Sequence, residues 1–348
     1  MILLISGFAW DPTILRLSRV LQDQSAEHVI VSPESMEQLS SLHISNTQQG
    51  QALLRLGDQT IDLATVRSAF LWRSWVRQER EPGLSDLAAR PKHWSFFREE
   101  WRTFSKGLAL TLAYSGVFCV NPPPFNSAWE EKCGQMLIAA QCGLRIPPTL
   151  YTARLPVARE FYDEQDGRLI YKPFRGFMEL HGPADQVTHV SKLYTNRVRE
   201  ADLVEGEQFI PTPSIFQPYI EKAFELRIVV VGRRIFACAI HSQQSDRSRE
   251  DWRRYDLENT PYLPYTLPAE IEARILAFMD RLGLVFGSID MIVTPDGEYI
   301  FLEINPGGQF DWIAQRTGMP IYQHVAALLA AAQSDYPTPE IKEAAHVA

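Results

Sequence analysis

The chain has 348 residues, with 34 Lys and Arg against 42 Asp and Glu, a formal net charge of −8. At 45% hydrophobic and 22% charged residues it reads as a soluble globular protein, which excludes a disordered chain, a collagen and a coiled coil. The acidic balance argues against a nucleic-acid partner, which would need clustered Lys and Arg, and the length predicts two or three subdomains.

Met1–Ser6 reads as a buried strand closed by a turn at Gly7. It has no basic flank and breaks at Ser6-Gly7, so it is not a targeting segment. Asp11 is the N-cap of a helix that has Pro12 at its first position, and His28–Val31 is a second strand, so the chain opens as a βαβ unit. Arg67–Trp75 is expected to be a strand, its Trp and Arg residues read as edge packing. Pro91–Ala113 is helical, with Trp94, Phe97, Trp101 and Phe104 forming an aromatic stripe that serves the core or an oligomer contact. Gly107–Val120 is too short and too interrupted to span a bilayer, so neither a membrane partner nor a membrane location is expected.

Asn121-Pro122-Pro123-Pro124 marks the first domain boundary, and Ser127–Gln141 is a helix stopped by Gly143. Leu169–Phe174 is a short strand bearing Lys172, and Glu179–Ile215 reads as polar and irregular. From Phe216 the pattern turns strongly β, at Phe216–Ile220, Leu226–Val231 and Ile235–Ile240. Ala269–Leu282 is a helix, two strands follow, and a last helix lies near Ile321–Ala332 before a polar tail expected to be loose. The four cysteines form no CxxC and no zinc spacing, so free thiols and a cytoplasmic location are expected.

The most informative stretch is Gly287–Pro306, where two apolar strands flank Asp296-Gly297, a strong hairpin signal. With those two as the central turn residues, Asp290 lies directly opposite Glu303 on one face, and Asn305 shares that face. Opposed like charges destabilise a sheet unless something positive sits between them. A hard cation answers that need, and Mg²⁺ takes carboxylate and amide oxygens together with substrate phosphates. Lys132, Lys172 and Arg227 are the candidate phosphate holders, provided the fold brings them together.

In this order the features resemble the ATP-grasp superfamily over nearly the whole chain. The resemblance rests on Lys132, Lys172, the hinge Gln217-Pro218-Tyr219-Ile220, Glu225-Leu226-Arg227, and Asp290 with Glu303-Ile304-Asn305. Within that superfamily the chain is similar to graspetide synthetases, the ligases that cyclise microviridin-type ribosomal peptides. The matching stretches are Glu131–Met136, Gly143–Thr149, Ile240-His241-Ser242-Gln243, Asp251–Asp256 and Phe301–Pro306.

The resemblance implies an α/β (α+β) ATP-grasp fold. Residues 1–120 would form an N-terminal α/β domain, 121–215 the central subdomain and 216–335 a β-rich C-terminal subdomain, with a loose tail at 336–348 and ATP between the last two subdomains. It implies ATP and Mg²⁺ as cofactors, with Lys132, Lys172, Gln217, Tyr219 and Ile220 at the nucleotide and Asp290, Glu303 and Asn305 at the metal. Arg227, His241 and Arg253 would be the catalytic residues. The implied partner is a ribosomal precursor peptide with a leader segment, and the expected assembly is a homodimer. The implied activity is activation of the peptide's Asp or Glu carboxylates as acyl phosphates and closure of ester or amide macrocycles. A ligase joining an amino acid to a small molecule or a peptide terminus is the alternative, and a catalytically silent nucleotide-binding or peptide-carrier protein is a third reading that the intact metal trio opposes.

Overall fold

The computed structural model describes residues 1–6, 10–32, 39–45, 50–72, 91–123, 129, 132–174, 177–181, 189–193, 195–203, 208–244 and 260–339. The chain opens with β1 (Ile2–Ser6), α1 (Pro12–Asp23) and β2 (His28–Val31). Asp11 caps α1 as expected, accepting a hydrogen bond from the Thr13 N–H at 2.8 Å, and its other oxygen accepts from Trp72 Nε1 at 3.0 Å. β1 is apolar from Ile2 to Ile5 because both its faces are covered. Ile2 and Leu4 enter one core, and Leu3 and Ile5 another.

A small antiparallel sheet follows, β3 (Leu39–Ser45), β4 (Gln51–Leu56) and β5 (Gln59–Asp62). No element was expected here, because these strands are largely polar and bury little beyond Ala52, Leu54 and Ile61. β6 (Ser68–Trp72), α2 (Pro91–Tyr114) and β7 (Phe118–Val120) complete a parallel sheet of order β2-β1-β6-β7. The strand expected over Arg67–Trp75 is thus Ser68–Trp72, and Arg73–Trp75 lie outside the described residues. Of the aromatic stripe on α2, Phe104 packs on the core, while the side chains of Trp94, Phe97 and Trp101 lie outside the described set.

Helix α3 (Lys132–Gln141) begins the second part; the expected start at Ser127 lies outside the described residues. Then come β8 (Leu150–Arg154), α4 (Leu155–Glu164), β9 (Leu169–Lys172), β10 (Phe177–His181), β11 (His189–Leu193), β12 (Asn196–Arg197) and β13 (Phe209–Pro218). β10 and β11 form a hairpin, and β12-β9-β13-β8 a second antiparallel sheet with its own small core. The stretch Glu179–Ile215, expected to be irregular, therefore carries strands. The first half of β13 is mostly exposed and contains two prolines, so it reads as loop in the sequence and becomes a strand only through its pairing with β8.

The last sheet is antiparallel, in the order β16 (Tyr262–Tyr265), β15 (Arg234–Ile240), β14 (Phe224–Val231), β17 (Phe286–Val293) and β18 (Tyr299–Asn305). Leu226, Ile228, Val230, Ile289 and Met291 line one face against α5 (Ala269–Leu282) and α3. The other face carries Val229, Val231, Cys238 and Ile240, and it packs on the N-terminal sheet, α6 (Asp311–Thr317) and α7 (Ile321–Ala331). Trp72, Phe70, Phe286 and Phe310 form the aromatic centre of this shared core, with ring centroids 5.3–6.2 Å apart. No cysteine forms a disulfide, and burial pushes the Cys119 and Cys238 thiols up to about 12, which makes them poor nucleophiles. No helix among the described residues is long and apolar enough to cross a membrane.

The start of the tail is fastened. Tyr336 is buried, donates to the Val231 carbonyl at 3.1 Å, and meets His324 Nδ1 at 3.0 Å. Gly232 sits beside it in the two-residue β14–β15 turn at φ +57°, where a Cβ would come 2.2 Å from the Ser334 carbonyl oxygen. Gly232→Ala therefore combines left-handed strain with an immovable backbone contact and should cost about 2–4 kcal/mol, read as a lower midpoint in denaturant unfolding.

Candidate active site

Arg227 on β14, Asp290 on β17 and Glu303 on β18 stand in one row across three adjacent strands. Directly paired residues share a face, so the three side chains project together. Arg227 and Asp290 are both buried, and Arg227 Nη1 donates to Asp290 Oδ2 at 2.8 Å. Lys132, at the first turn of α3, closes the row with its Nζ 2.9 Å from Glu303 Oε2. The two opposed carboxylates are thus each matched by a cation of the protein. Asn305 joins them, its Nδ2 3.5 Å from Asp290 Oδ2.

The Asp290–Glu303 opposition stands, but the turn that sets it differs from the sequence reading. Val293 pairs with Tyr299, and the Thr294 N–H donates to the Glu298 carbonyl at 3.0 Å, leaving a three-residue loop with Gly297 left-handed at φ +87°. That loop sets a register one residue away from the expected one. A bulge at Leu302 shifts it back, so that Asp290 meets Glu303 after all. The sequence carries no visible mark of either departure, and the two cancel at the carboxylates.

Gly308 follows on the loop that leaves β18. A Cβ there would lie 2.4 Å from Ser288 Cβ and 2.9 Å from Arg227 Nη2, so only glycine lets the loop close over the guanidinium. Arg227 Nη2 also reaches the Gln309 carbonyl at 3.4 Å, while its buried Nε has no hydrogen-bond partner.

The second group lies on the central sheet. Lys172 Nζ donates to Gln217 Oε1 at 2.9 Å, and Gln217 Nε2 donates to Thr149 Oγ1 at 3.0 Å. Tyr219 donates its backbone N–H to the Arg168 carbonyl at 2.7 Å, and the Arg197 guanidinium lies over its ring at 3.7 Å. Ile220 is half-buried just beyond β13. The half-buried ring of His241 lies 5.4 Å from the ring of Phe224. Arg253, with the whole Asp251–Asp256 stretch, lies outside the described residues.

Sequence reasoning assigned no role to five residues, Gln135, Asn121, Lys222, Glu225 and Ser242, although Gln135, Glu225 and Ser242 lie in the stretches that carry the resemblance. Gln135 and Asn121 hold the backbone of the carboxylate strands, as detailed below. Lys222, Glu225 and Ser242 form a buried network in which both Lys222 Nζ and Ser242 Oγ donate to the Glu225 carboxylate. A lysine three residues before a glutamate signals nothing in the sequence until the β14–β15 pairing brings Ser242 beside them.

Among the described residues no three His, Cys, Asp or Glu side chains converge as a metal cluster, so a metal here depends on Asn305 as its third protein donor. Two carboxylates and an amide oxygen form a hard donor set that fits Mg²⁺.

No protein-family model and no curated protein matches the sequence. Solved structures do. Macrocyclase MdnC from Microcystis aeruginosa MRC, bound with its precursor peptide MdnA, is 28% identical, with 95% of this chain and 100% of that one covered at a TM-score of 0.77. A RiPP-associated ATP-grasp ligase from Chryseobacterium gregarium, in complex with ADP and a leader and core peptide, is 25% identical over 96% and 98% at a TM-score of 0.81. Macrocyclase MdnB from the same Microcystis is 27% identical over 94% and 98% at 0.69. The chain has the fold of the RiPP-associated ATP-grasp ligases. The likeness covers nearly the full length of each chain.

Gly308→Ala should push Arg227 and Ser288 off their positions. Displacements near 1 Å at a reacting centre cost roughly 100-fold. The expected outcome is a loss of ATP turnover of about that size with an unchanged circular dichroism spectrum.

Proposed function

We propose that this protein is an ATP-dependent ligase that activates side-chain carboxylates of a ribosomal precursor peptide and closes ester or amide macrocycles. The observation that carries the reading is the Lys132–Glu303–Asp290–Arg227 row with Asn305, in a chain similar over 95% of its length to a macrocyclase bound with its precursor peptide. The ligase joining an amino acid to a small molecule is the weaker reading, because the neighbours named above are complexes with peptides or a macrocyclase.

A substrate Asp or Glu oxygen attacks the γ-phosphorus of ATP, the β–γ bond breaks and ADP leaves. A hydroxyl or amine of the same peptide then attacks the acyl carbon, and phosphate departs with the former carboxylate oxygen. The net change is one water lost per linkage. Asp290, Glu303 and Asn305 supply the oxygens that hold Mg²⁺, and Lys132 and Lys172 bind the phosphates. When bound, Mg²⁺ neutralises phosphate charge. Arg227 aims a rigid guanidinium fork at the transferring phosphoryl group. Gln217, Tyr219 and Ile220 line the adenine edge. His241 orients the acceptor or the acyl phosphate, and Arg253 contacts phosphate or substrate.

We further infer the three-part division at residues 1–120, 121–215 and 216–335, with the nucleotide between the last two; the separate small core of the central sheet supports it. A cytoplasmic location agrees with four free thiols. A homodimer agrees with the exposed Phe96, Leu110 and Tyr114, which share one face of α2.

The decisive experiment is intact-mass spectrometry of the cognate precursor after incubation with ATP and Mg²⁺. It should lose 18 Da (roughly one water) per linkage while ADP and phosphate appear, since the reactive species is an acyl phosphate. Gain of an amino acid would favour the small-substrate ligase, and AMP as product would overturn the mechanism. Glu303→Gln should abolish turnover and leave the fold intact. Lys172→Ala should weaken ATP binding at least about tenfold by calorimetry, as a charge-assisted phosphate contact is lost.

A further inference from the structure

β18 is the outer strand of its sheet, so every second residue points its N–H and C=O away from β17. Ile304 is such a residue, and it stands between Glu303 and Asn305. Its outward groups are taken by one side chain. Gln135 Oε1 accepts from the Ile304 N–H at 2.9 Å, and Gln135 Nε2 donates to the Ile304 carbonyl at 2.8 Å. The second Nε2 proton goes to the Trp129 carbonyl at 2.6 Å. Gln135 is 1% exposed, and both its amide protons are used.

The amide of Gln135 thus pairs with β18 as a further strand's peptide would, at the one residue flanked by both candidate metal ligands of that strand. Gln135 also lies one turn from Lys132, which pairs with Glu303, so a single helical face touches both the side chain and the backbone of the Glu303–Asn305 segment. A second buried amide acts on either side. Asn121 accepts from the N–H groups of Val285 and Phe286 at 3.0 and 2.8 Å, and donates to the carbonyls of Phe286 at 2.8 Å and Pro306 at 3.0 Å. It therefore ties the start of β17 to the residue next after Asn305.

We infer that Gln135 is a positioning residue for the metal: it fixes the direction of the Glu303 and Asn305 side chains through the Ile304 peptide, with Asn121 bracing the same corner. This rests on the reading of Glu303 and Asn305 as metal ligands. A hydrogen bond that merely capped a strand edge would matter to stability alone. One that aims two ligands matters to metal affinity, and partners of this kind change it by roughly 10- to 100-fold.

The test is Mn²⁺ titration of the full chain in the presence of AMPPNP, followed by electron paramagnetic resonance, for the wild type, Gln135→Met, Gln135→Glu, Trp129→Phe and Glu303→Gln, each with its thermal midpoint. Gln135→Met keeps the volume and removes all three bonds. Gln135→Glu keeps the acceptor for the Ile304 N–H and loses the donors. Trp129→Phe removes the 2.7 Å bond from Trp129 Nε1 to the Leu282 carbonyl and part of the indole's apolar packing, while it keeps the backbone carbonyl that accepts from Gln135, and so serves as a loss of stability with the Gln135 bonds intact. The expected result is Mn²⁺ binding about 10- to 100-fold weaker in folded Gln135→Met, with a smaller loss in Gln135→Glu and none in Trp129→Phe at a similar drop in midpoint. Unchanged Mn²⁺ affinity in a folded Gln135 variant, with loss in Glu303→Gln, overturns the inference and leaves the metal site standing. Unchanged affinity in Glu303→Gln overturns the metal site itself. If Gln135→Met does not fold, Gln135→Glu against Trp129→Phe decides by the same comparison.

Discussion

The contact between Arg227 and Asp290 is the constraint from which the site follows. Two charged side chains are buried between central strands of a sheet whose opposite face is lined mainly by apolar residues. Desolvation makes such a pair poor value as a stabilising device, and well-packed hydrophobic residues often serve a fold at least as well. With Glu303 placed beside Asp290, a second like charge enters the same corner, and Lys132 is needed to offset it. A row of alternating duties, two cations flanking two anions, suits a place where phosphates and a divalent ion are to be exchanged for internal partners.

That row depends on the backbone as much as on the side chains. Glu303 and Asn305 belong to an edge strand, where half of the peptide groups lack a neighbouring strand. The chain secures this edge in two ways. Arg145 gives its carbonyl to the Phe301 N–H at 2.8 Å, and Gln135 supplies a side-chain amide at Ile304. Between those two anchors the bulge at Leu302 has a fixed position. The same helix that covers the edge carries Lys132, so the position of a phosphate-reading charge and the aim of the carboxylates are set by one rigid element.

The central sheet contributes differently. Lys172, Gln217 and Thr149 form a short polar chain on three neighbouring segments, each of them held by strand pairing or by the turn leading into β8. The buried Lys222–Glu225–Ser242 network adjoins the carboxylate row, since Glu225 shares the face of Arg227 on β14. Polar groups buried this fully are costly unless each is satisfied, which is why Ser242 turns inward from the end of β15.

The residues alone determined the helix start at Asp11-Pro12, the apolar β1, the β-rich C-terminal part and the opposition of Asp290 and Glu303. In each case the signal is local: a cap, a run without polar residues, or a hairpin of fixed parity. The order of Lys132, Lys172, Gln217, Arg227 and the Glu303-Ile304-Asn305 segment was also legible, because a family resemblance needs only sequence. Tertiary structure decided the rest. The polar strands β3–β5 and the first half of β13 exist only because partners pair with them, and propensity does not report a partner. The three-residue loop and the bulge at Leu302 cancel, so the correct pairing followed from an incorrect turn. Lys132 meeting Glu303, and Gln135 clasping Ile304, join residues about 170 positions apart. No spacing rule reaches that far, since the contact is made by the packing of a helix against a sheet edge and not by anything along the chain.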